Sequence, residues 1–201
     1  VSGSTVADAV AAIRTGTGVV VVDDASRENE GDVIFAAAML TEAQVAFLMR
    51  ECRGLICAAM ASQLVDALGL HPMVPNNEDP LRTAFTVSVD AREGVTTGIS
   101  AADRTLTARL LADPASTPRD FVSPGHLFPL RAAPGGVRSR RGHTEAAVDL
   151  AALAGVPEVG VICEIAGADG RMLRGAELET FAALHGLPFI SIGMLADALV
   201  G

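Results

Sequence analysis

Short runs of branched apolar residues, separated by helix signals, limit the folds open to this chain. Residues 18–22, 33–38, 55–59, 159–165 and 187–192 are mostly apolar, strand-length and rich in Val and Ile. Runs this short and this β-branched read as buried strands. Between them lie helix signals. Ser4 caps a helix with Val6, Val10 and Ile13 on one face and Gly16 at its end. Thr41 and Gln44 form a capping box for a helix reaching about residue 51, and Ser62 opens a short one. Ser100 with Asp103 starts a helix to about residue 111. Thr144 opens an Ala-rich helix that stops at Gly155, and residues 175–185 make a helix that stops at Gly186.

Phe85, Val87 and Val89 alternate as a further strand, and residues 127–130 make a short one. Residues 71–82, with three prolines and two asparagines, and residues 114–124 read as loops. Strands alternate with helices, yet 18–22 and 33–38 are joined by a hairpin-like polar loop over residues 23–32. The expected fold is therefore α+β: a single three-layer domain over residues 1–201, with a mixed β-sheet flanked by helices on both faces. The chain has 201 residues, half of them hydrophobic, enough for a sizeable core. It has no Tyr or Trp, so Ala, Val, Leu, Ile and a few Phe must fill that core.

The net charge of −9 argues against a nucleic-acid face. No apolar run is long enough to span a membrane, and the first residues lack a signal-peptide pattern. Three cysteines are an odd number, and Cys57 and Cys163 lie in apolar runs, so reduced thiols and a cytoplasmic setting are expected.

Five segments carry chemistry, and each has two readings. The run at 23–32, DDASRENEGD, packs five carboxylates and Arg27 after a buried strand. It is either a solvated acidic turn or a hard-oxygen site for Mg²⁺ or Mn²⁺. At 138–145, three arginines, Gly142, His143 and Thr144 enter a helix. They make either a basic surface turn or an anion site at a helix N-terminus. His126, in Ser-Pro-Gly-His, is an acid–base group or a structural histidine. Glu164 ends a buried strand and is either functional or an edge residue facing water. The glycine-bracketed 94–104 turn, with Thr97 and Asp103, faces substrate or merely caps a helix. His71, in a loop, and His185, in the last turn of a helix, read as structural.

In their order, DDASRENEGD (23–32), TAFTVSVDAREGVTTGISAADR (83–104), SPGHLFPLRA (123–132), GGVRSRRGHTEAAVDLAALAG (135–155) and GVICEI (160–165) closely resemble the 3,4-dihydroxy-2-butanone 4-phosphate synthase family. The resemblance runs from about residue 6 to residue 199. It implies a riboflavin-biosynthesis lyase that converts D-ribulose 5-phosphate to L-3,4-dihydroxy-2-butanone 4-phosphate and formate, through a metal-stabilised enediolate, dehydration and skeletal rearrangement. It implies Mg²⁺ or Mn²⁺ as cofactor, two ions per site, held by Glu28 and His143. His126 and Glu164 match essential catalytic positions. Arg27, Glu28, Asp32, Arg140, Arg141, Gly142, His143, Thr144 and Glu164 match substrate-binding positions, with Glu30, Cys57, Thr97 and Asp103 nearby. A homodimer with its sites at the interface is implied as well.

Two positions depart from the family pattern. Ser123 stands where Arg often precedes Pro-Gly-His, and Arg141 stands where a small residue or proline is common. An isomerase or aldolase acting on a sugar phosphate would use the same groups but release no formate. A non-catalytic phosphate-binding domain would not need both Glu28 and His143.

Overall fold

The computed structural model describes residues 3–200. Seven strands form one sheet in the order β4-β5-β3-β6-β2-β1-β7. They are β1 (Val19–Val22), β2 (Gly31–Ala36), β3 (Cys57–Met60), β4 (Val89–Ala91), β5 (Phe121–Arg131), β6 (Val159–Glu164) and β7 (Phe189–Ser191). The helices are α1 (Val6–Arg14), α2 (Glu42–Phe47), α3 (Ser62–Ala67), α4 (Ala101–Ala112), α5 (His143–Ala154), α6 (Ala176–His185) and α7 (Ile192–Ala198). β1 runs antiparallel to β2 and parallel to β7, and β3 runs parallel to β5 and antiparallel to β6, so the sheet is mixed as expected.

Side-chain alternation along the strands divides the core in two. Val20, Val33, Phe35, Ala58, Met60, Val161 and Cys163 pack with residues of α2, α4 and α6. Their neighbours Val19, Val21, Ile34, Cys57, Ala59 and Ile162 pack with α1, α5 and α7 on the other face. A period of two puts successive residues on opposite faces, so apolar runs without alternation demand helices on both sides. The result is a single α+β domain of three layers. α5 approaches β6 so closely that a Cβ on Gly160 would sit 2.8 Å from the Ala147 methyl. Small residues on both elements permit that contact.

Several local expectations need correction. The cap of α1 is Thr5, not Ser4: Thr5 and Asp8 form a reciprocal capping box. The helix after Thr41 leaves α geometry at Leu48 and finishes as a π-turn over Leu48–Cys52. Val87 is not part of a ladder, and the strand there is confined to Val89–Ala91 with isolated bridges at Phe85 and Thr86. β5 begins at Phe121, six residues before the apolar run that was legible, and it includes the cis Ser123–Pro124 bond. Proline and glycine signals conceal this part of the strand, because it is irregular and at residues 123–126 it leaves the ladder. Helix α7, capped by Ser191, follows β7 without a loop. Its start was hidden because the apolar residues of strand and helix run together.

Candidate active site

One end of the sheet gathers the chemistry. Asp32 in β2 lies opposite Glu164 in β6, and Cys57 in β3 lies opposite Ile162. Asp32 is therefore a strand residue rather than the end of a loop. Over this end the 23–30 loop and the start of α5 close a cleft of about 190 Å³. Its walls include Arg27, Glu28, Glu30, Asp32, Cys57, Arg140, His143, Thr144 and Glu164. Those nine residues come from four separate segments of the sequence, and the structure brings them together.

The acidic loop is built on a residue that sequence analysis gave no separate role. The Asp23 side chain is fully buried. Its Oδ1 accepts the Glu30 N–H at 3.0 Å, and its Oδ2 accepts the Glu28 N–H at 2.9 Å and an Arg27 N–H at 3.0 Å. One carboxylate thus folds the loop and leaves Glu28, Glu30 and Asp32 to face the cleft. Asp24 points outward, with Arg141 3.9 Å away, both more than half exposed. Arg27 also pairs closely with Glu28.

His143 is the first residue of α5, not a residue ahead of the helix, and its ring is 6% exposed. Its Nδ1 lies 3.5 Å from Glu28 Oε2 and 3.8 Å from Asp32 Oδ1. Its Nε2 and Asp32 Oδ1 are buried without a hydrogen-bond partner among the described residues. Orphaned buried polar atoms are costly and mark a place built for something else. Burial opposes a charge on His143, but Asp32 and the Glu28 hydrogen bond outweigh it, pushing the imidazole up to about 9. Burial pushes Asp32 up to about 7, against the pull of His143. The hydrogen bond to His143 holds Glu28 below the usual carboxylate range. Burial raises Glu30, helped by Glu28 and Glu164. The cleft therefore holds more negative charge than its protein partners neutralise.

Glu164 is turned by Gly54. Its Oε2 accepts the Leu55 N–H at 2.8 Å, and a side chain at Gly54 would occupy the same space. Burial pushes the Cys57 thiol up, so it stands in the wall as a neutral group. Arg140 is tied to the buried Glu145 at 2.6 Å and to Leu81 O and Thr83 Oγ1. Gly142 lies under that pair, where a Cβ would collide with the Arg140 guanidinium. The first intrahelical bond of α5 runs from Ala146 N–H to Gly142 O. The N–H groups of residues 143–145 thus point out of the helix start beside Arg140, where an anion is favoured.

Sequence reasoning missed Thr83, Phe85, Leu130 and Ile162, which also line the cleft. Thr83 follows a polar loop and shows no periodicity that would have flagged it. Glu145 was legible only as part of a helix start, because its ion pair with Arg140 is tertiary.

Five expected site residues do not line this cleft, Gly142, under the Arg140–Glu145 pair, among them. Arg141 is exposed beside Asp24. His126, Thr97 and Asp103 belong to the β4–β5 edge. There Asp103 is buried and accepts hydrogen bonds from Thr96 Oγ1, Thr96 N–H and Gly98 N–H, which hold it at about 2. Asp103 folds the 96–98 turn that carries Thr97. His126 pairs with Asp90 at 2.7 Å. The structural readings of the other two histidines agree with their places: His71 is in an exposed loop, and His185 ends α6 against the rings of Phe47 and Phe181.

The profile of the 3,4-dihydroxy-2-butanone 4-phosphate synthase family matches residues 7–198. The chain belongs to that family. It is 53% identical over 181 residues to the synthase of Shewanella oneidensis, covering 90% of this chain and 83% of that one. With the synthase of Agrobacterium fabrum it shares 54% identity over 194 residues, 96% and 91% of the two chains. Among solved structures, a 3,4-dihydroxy-2-butanone 4-phosphate synthase in complex with two magnesium ions superposes with a TM-score of 0.94 at 47% identity. The match covers 98% of this chain and 97% of that one. A two-domain synthase from A. baumannii matches with a TM-score of 0.92 at 44% identity, covering 96% of this chain and 56% of the other. The protein is thus a lyase of riboflavin biosynthesis that converts ribulose 5-phosphate to 3,4-dihydroxy-2-butanone 4-phosphate and formate.

Proposed function

We propose that the cleft at the sheet end is where this synthase acts, with Glu28 and His143 holding two Mg²⁺ (or Mn²⁺) ions. The observation that carries this reading is the pair of orphaned buried atoms, Asp32 Oδ1 and His143 Nε2, beside the Glu28 carboxylate. Among the described residues no three His, Cys, Asp or Glu side chains converge as a closed cage. Two protein ligands with open positions suit Mg²⁺, which keeps waters and takes oxygens from substrate. When bound, such ions supply Lewis-acid polarisation of a ketone and stabilise the charge that develops on it.

The chain's own groups do the rest. Arg140 and the N–H groups of residues 143–145, with the Thr144 hydroxyl, anchor the phosphate. A fixed remote group holds the reacting carbons in register and keeps the reactive enediolate from leaving. Arg27, Glu28, Glu30 and Asp32 surround the sugar. Asp32, with its carboxyl pushed up to about 7, can hold or release a proton near neutral pH. Glu164 presents its second oxygen to the cleft, and Cys57 bounds it as a neutral wall. Arg141 adds charge at the rim of the phosphate segment.

The proposed assembly is a homodimer with its sites at the interface, in which His126 of the partner subunit reaches the cleft. Two facts support it: His126 does not line the cleft of its own chain, and its ring is 45% exposed. Thr97 belongs to the same edge and would enter with it. The proposed unit is one synthase domain over residues 1–201, working in the cytoplasm. The three free, buried cysteines fit that setting, and no helix of the described residues is long and apolar enough to cross a membrane.

Ribulose 5-phosphate labelled at C4, incubated with Mg²⁺ and followed by ¹³C-NMR, tests the chemistry: labelled formate is expected, and none after EDTA. Mixing Glu28→Gln with His126→Asn, each inactive alone, tests the shared site. Recovered activity supports it, and a mixture that stays inactive after subunit exchange refutes it.

A further inference from the structure

Two neighbouring charges on α4 meet opposite fates. Asp103 is buried, and three donors of its own chain converge on it. Arg104, the next residue, is 8% exposed. It shares a buried helix face with Thr107, Ala108 and Leu111, and that face packs on the sheet beside Val161 and Cys163. Adjacent helix positions do not face each other, so Arg104 and Asp103 do not pair. Among the described residues no oxygen accepts from the Arg104 guanidinium, and its Nε is buried without a hydrogen-bond partner. Burial pushes the guanidinium below the usual arginine range, and no carboxylate opposes that push. A buried cation with no acceptor is costly, and buried charges are therefore found paired.

Nε alone of the three nitrogens is enclosed; the two Nη atoms reach the surface. The counter-charge can therefore come from outside the chain. The opening has the make-up of an interface centre. The guanidinium lies within electrostatic range of Cys163, which also contacts Cys52 at the end of the π-turn Leu48–Cys52. That turn exposes Met49, and Ile99, just ahead of the Ser100 cap of α4, is exposed as well. A desolvated arginine among apolar side chains is typical of residues that anchor protein contacts. With 24 acidic and 15 basic residues, another copy of this chain offers carboxylates in excess.

We propose that Arg104 is an interface residue of the dimer, closed by a carboxylate of a second copy of this chain. In a two-fold pair the contact forms twice. The inference rests on the homodimer reading and gives it a physical cause. A lone chain leaves a buried charge unpaired on α4, whose first turn is continuous with the edge that carries Thr97 and His126. Association pairs that charge and seats the edge in one event, so activity follows assembly.

The experiment follows dimer dissociation of full chains with Mg²⁺ by sedimentation across a dilution series, with specific activity on ribulose 5-phosphate at each concentration. Arg104→Met keeps an unbranched side chain and removes the charge. It is expected to weaken the dimer by about 30-fold or more, because the facing carboxylate loses its partner in turn. It should also lose specific activity on dilution where wild type keeps it. Arg104→Lys keeps the charge without the planar fork and is expected to weaken the dimer by about 10-fold. A dimer as tight as that of wild type in either variant overturns the proposal. If chloride then raises the melting temperature of wild type but not of the variant, a small anion holds the arginine instead. Wild type alone supplies a further reading: amide exchange over residues 99–105 should speed up on dilution to the monomer. An unchanged rate overturns the proposal even if neither variant folds. Wild type that stays monomeric at every concentration removes the homodimer itself, and the role given to Arg104 falls with it.

Discussion

The cleft and the β4–β5 edge both place a buried aspartate beside a histidine, and they differ in how far the protein satisfies them. In the cleft, Asp32 and His143 are 3.8 Å apart, and each retains a buried atom with no partner. At the edge, both Asp90 oxygens are used at hydrogen-bonding distance, and Asp103 is held by three donors. A satisfied cluster is rigid and complete in one chain. An unsatisfied one stores unfavourable electrostatics that a ligand can relieve. This contrast supports the proposal that the cleft receives ions and sugar phosphate and that the edge offers them a preset group.

The contrast can be broken most directly at the cleft. Glu28→Gln or His143→Asn should cost about 10³-fold or more in formate release, with loss of Mg²⁺ binding by calorimetry. Near-normal turnover in either would empty the cleft of its role. His126→Asn should cost about 10²- to 10⁴-fold in kcat, with Mg²⁺ binding intact.

Next in size is the pH dependence of stability without metal. Asp32 is raised to about 7 and His143 to about 9, so the folded chain holds protons that the unfolded chain has released. Stability should fall as pH rises from about 4 to 7 for Asp32 and from about 6.5 to 9 for His143. Thermal melts in EDTA should show this decline, and Asp32→Asn should flatten its lower part while lowering activity. Mg²⁺ competes with the His143 proton, so its stabilising effect should grow toward pH 9.

A smaller effect is expected in the loop. Hydrogen exchange at residues 27–32 should slow when Mg²⁺ and substrate are both present, with Asp23 already protecting the Glu28 and Glu30 amides. Equal protection with and without ligands would mean the loop is as complete as the edge. The smallest effect belongs to Asp103. Its carboxyl is held at about 2, so its contribution is present above about pH 4 and is lost as pH falls toward 2. Asp103→Asn should melt modestly lower at neutral pH, with the difference shrinking below about pH 4.

Much of this was legible in the chain. The runs at 18–22, 33–38 and 159–163 are apolar at every position, and a strand that is apolar on both faces needs cover on both. Capping chemistry marked α2 and α4, and glycines marked the ends of α5 and α6. The carboxylates of 23–32 and the basic entry to α5 were visible as clusters because they are contiguous. Less was legible where local signals compete: Pro124 and Gly125 masked a strand, and the apolar residues of β7 ran on into α7.

The sequence by itself determined the layers of the fold, the charged segments and the family, because periodicity, caps and motifs are properties of neighbouring residues. Tertiary structure alone decided that Asp32 faces His143 from a strand, that Asp23 and Glu145 serve as scaffolds for Arg27 and Arg140, and that Asp90 grips His126 across a bulge. Those roles depend on register and burial. Both are set only when distant segments pack, and only then does water leave the charges to whatever partners the fold supplies.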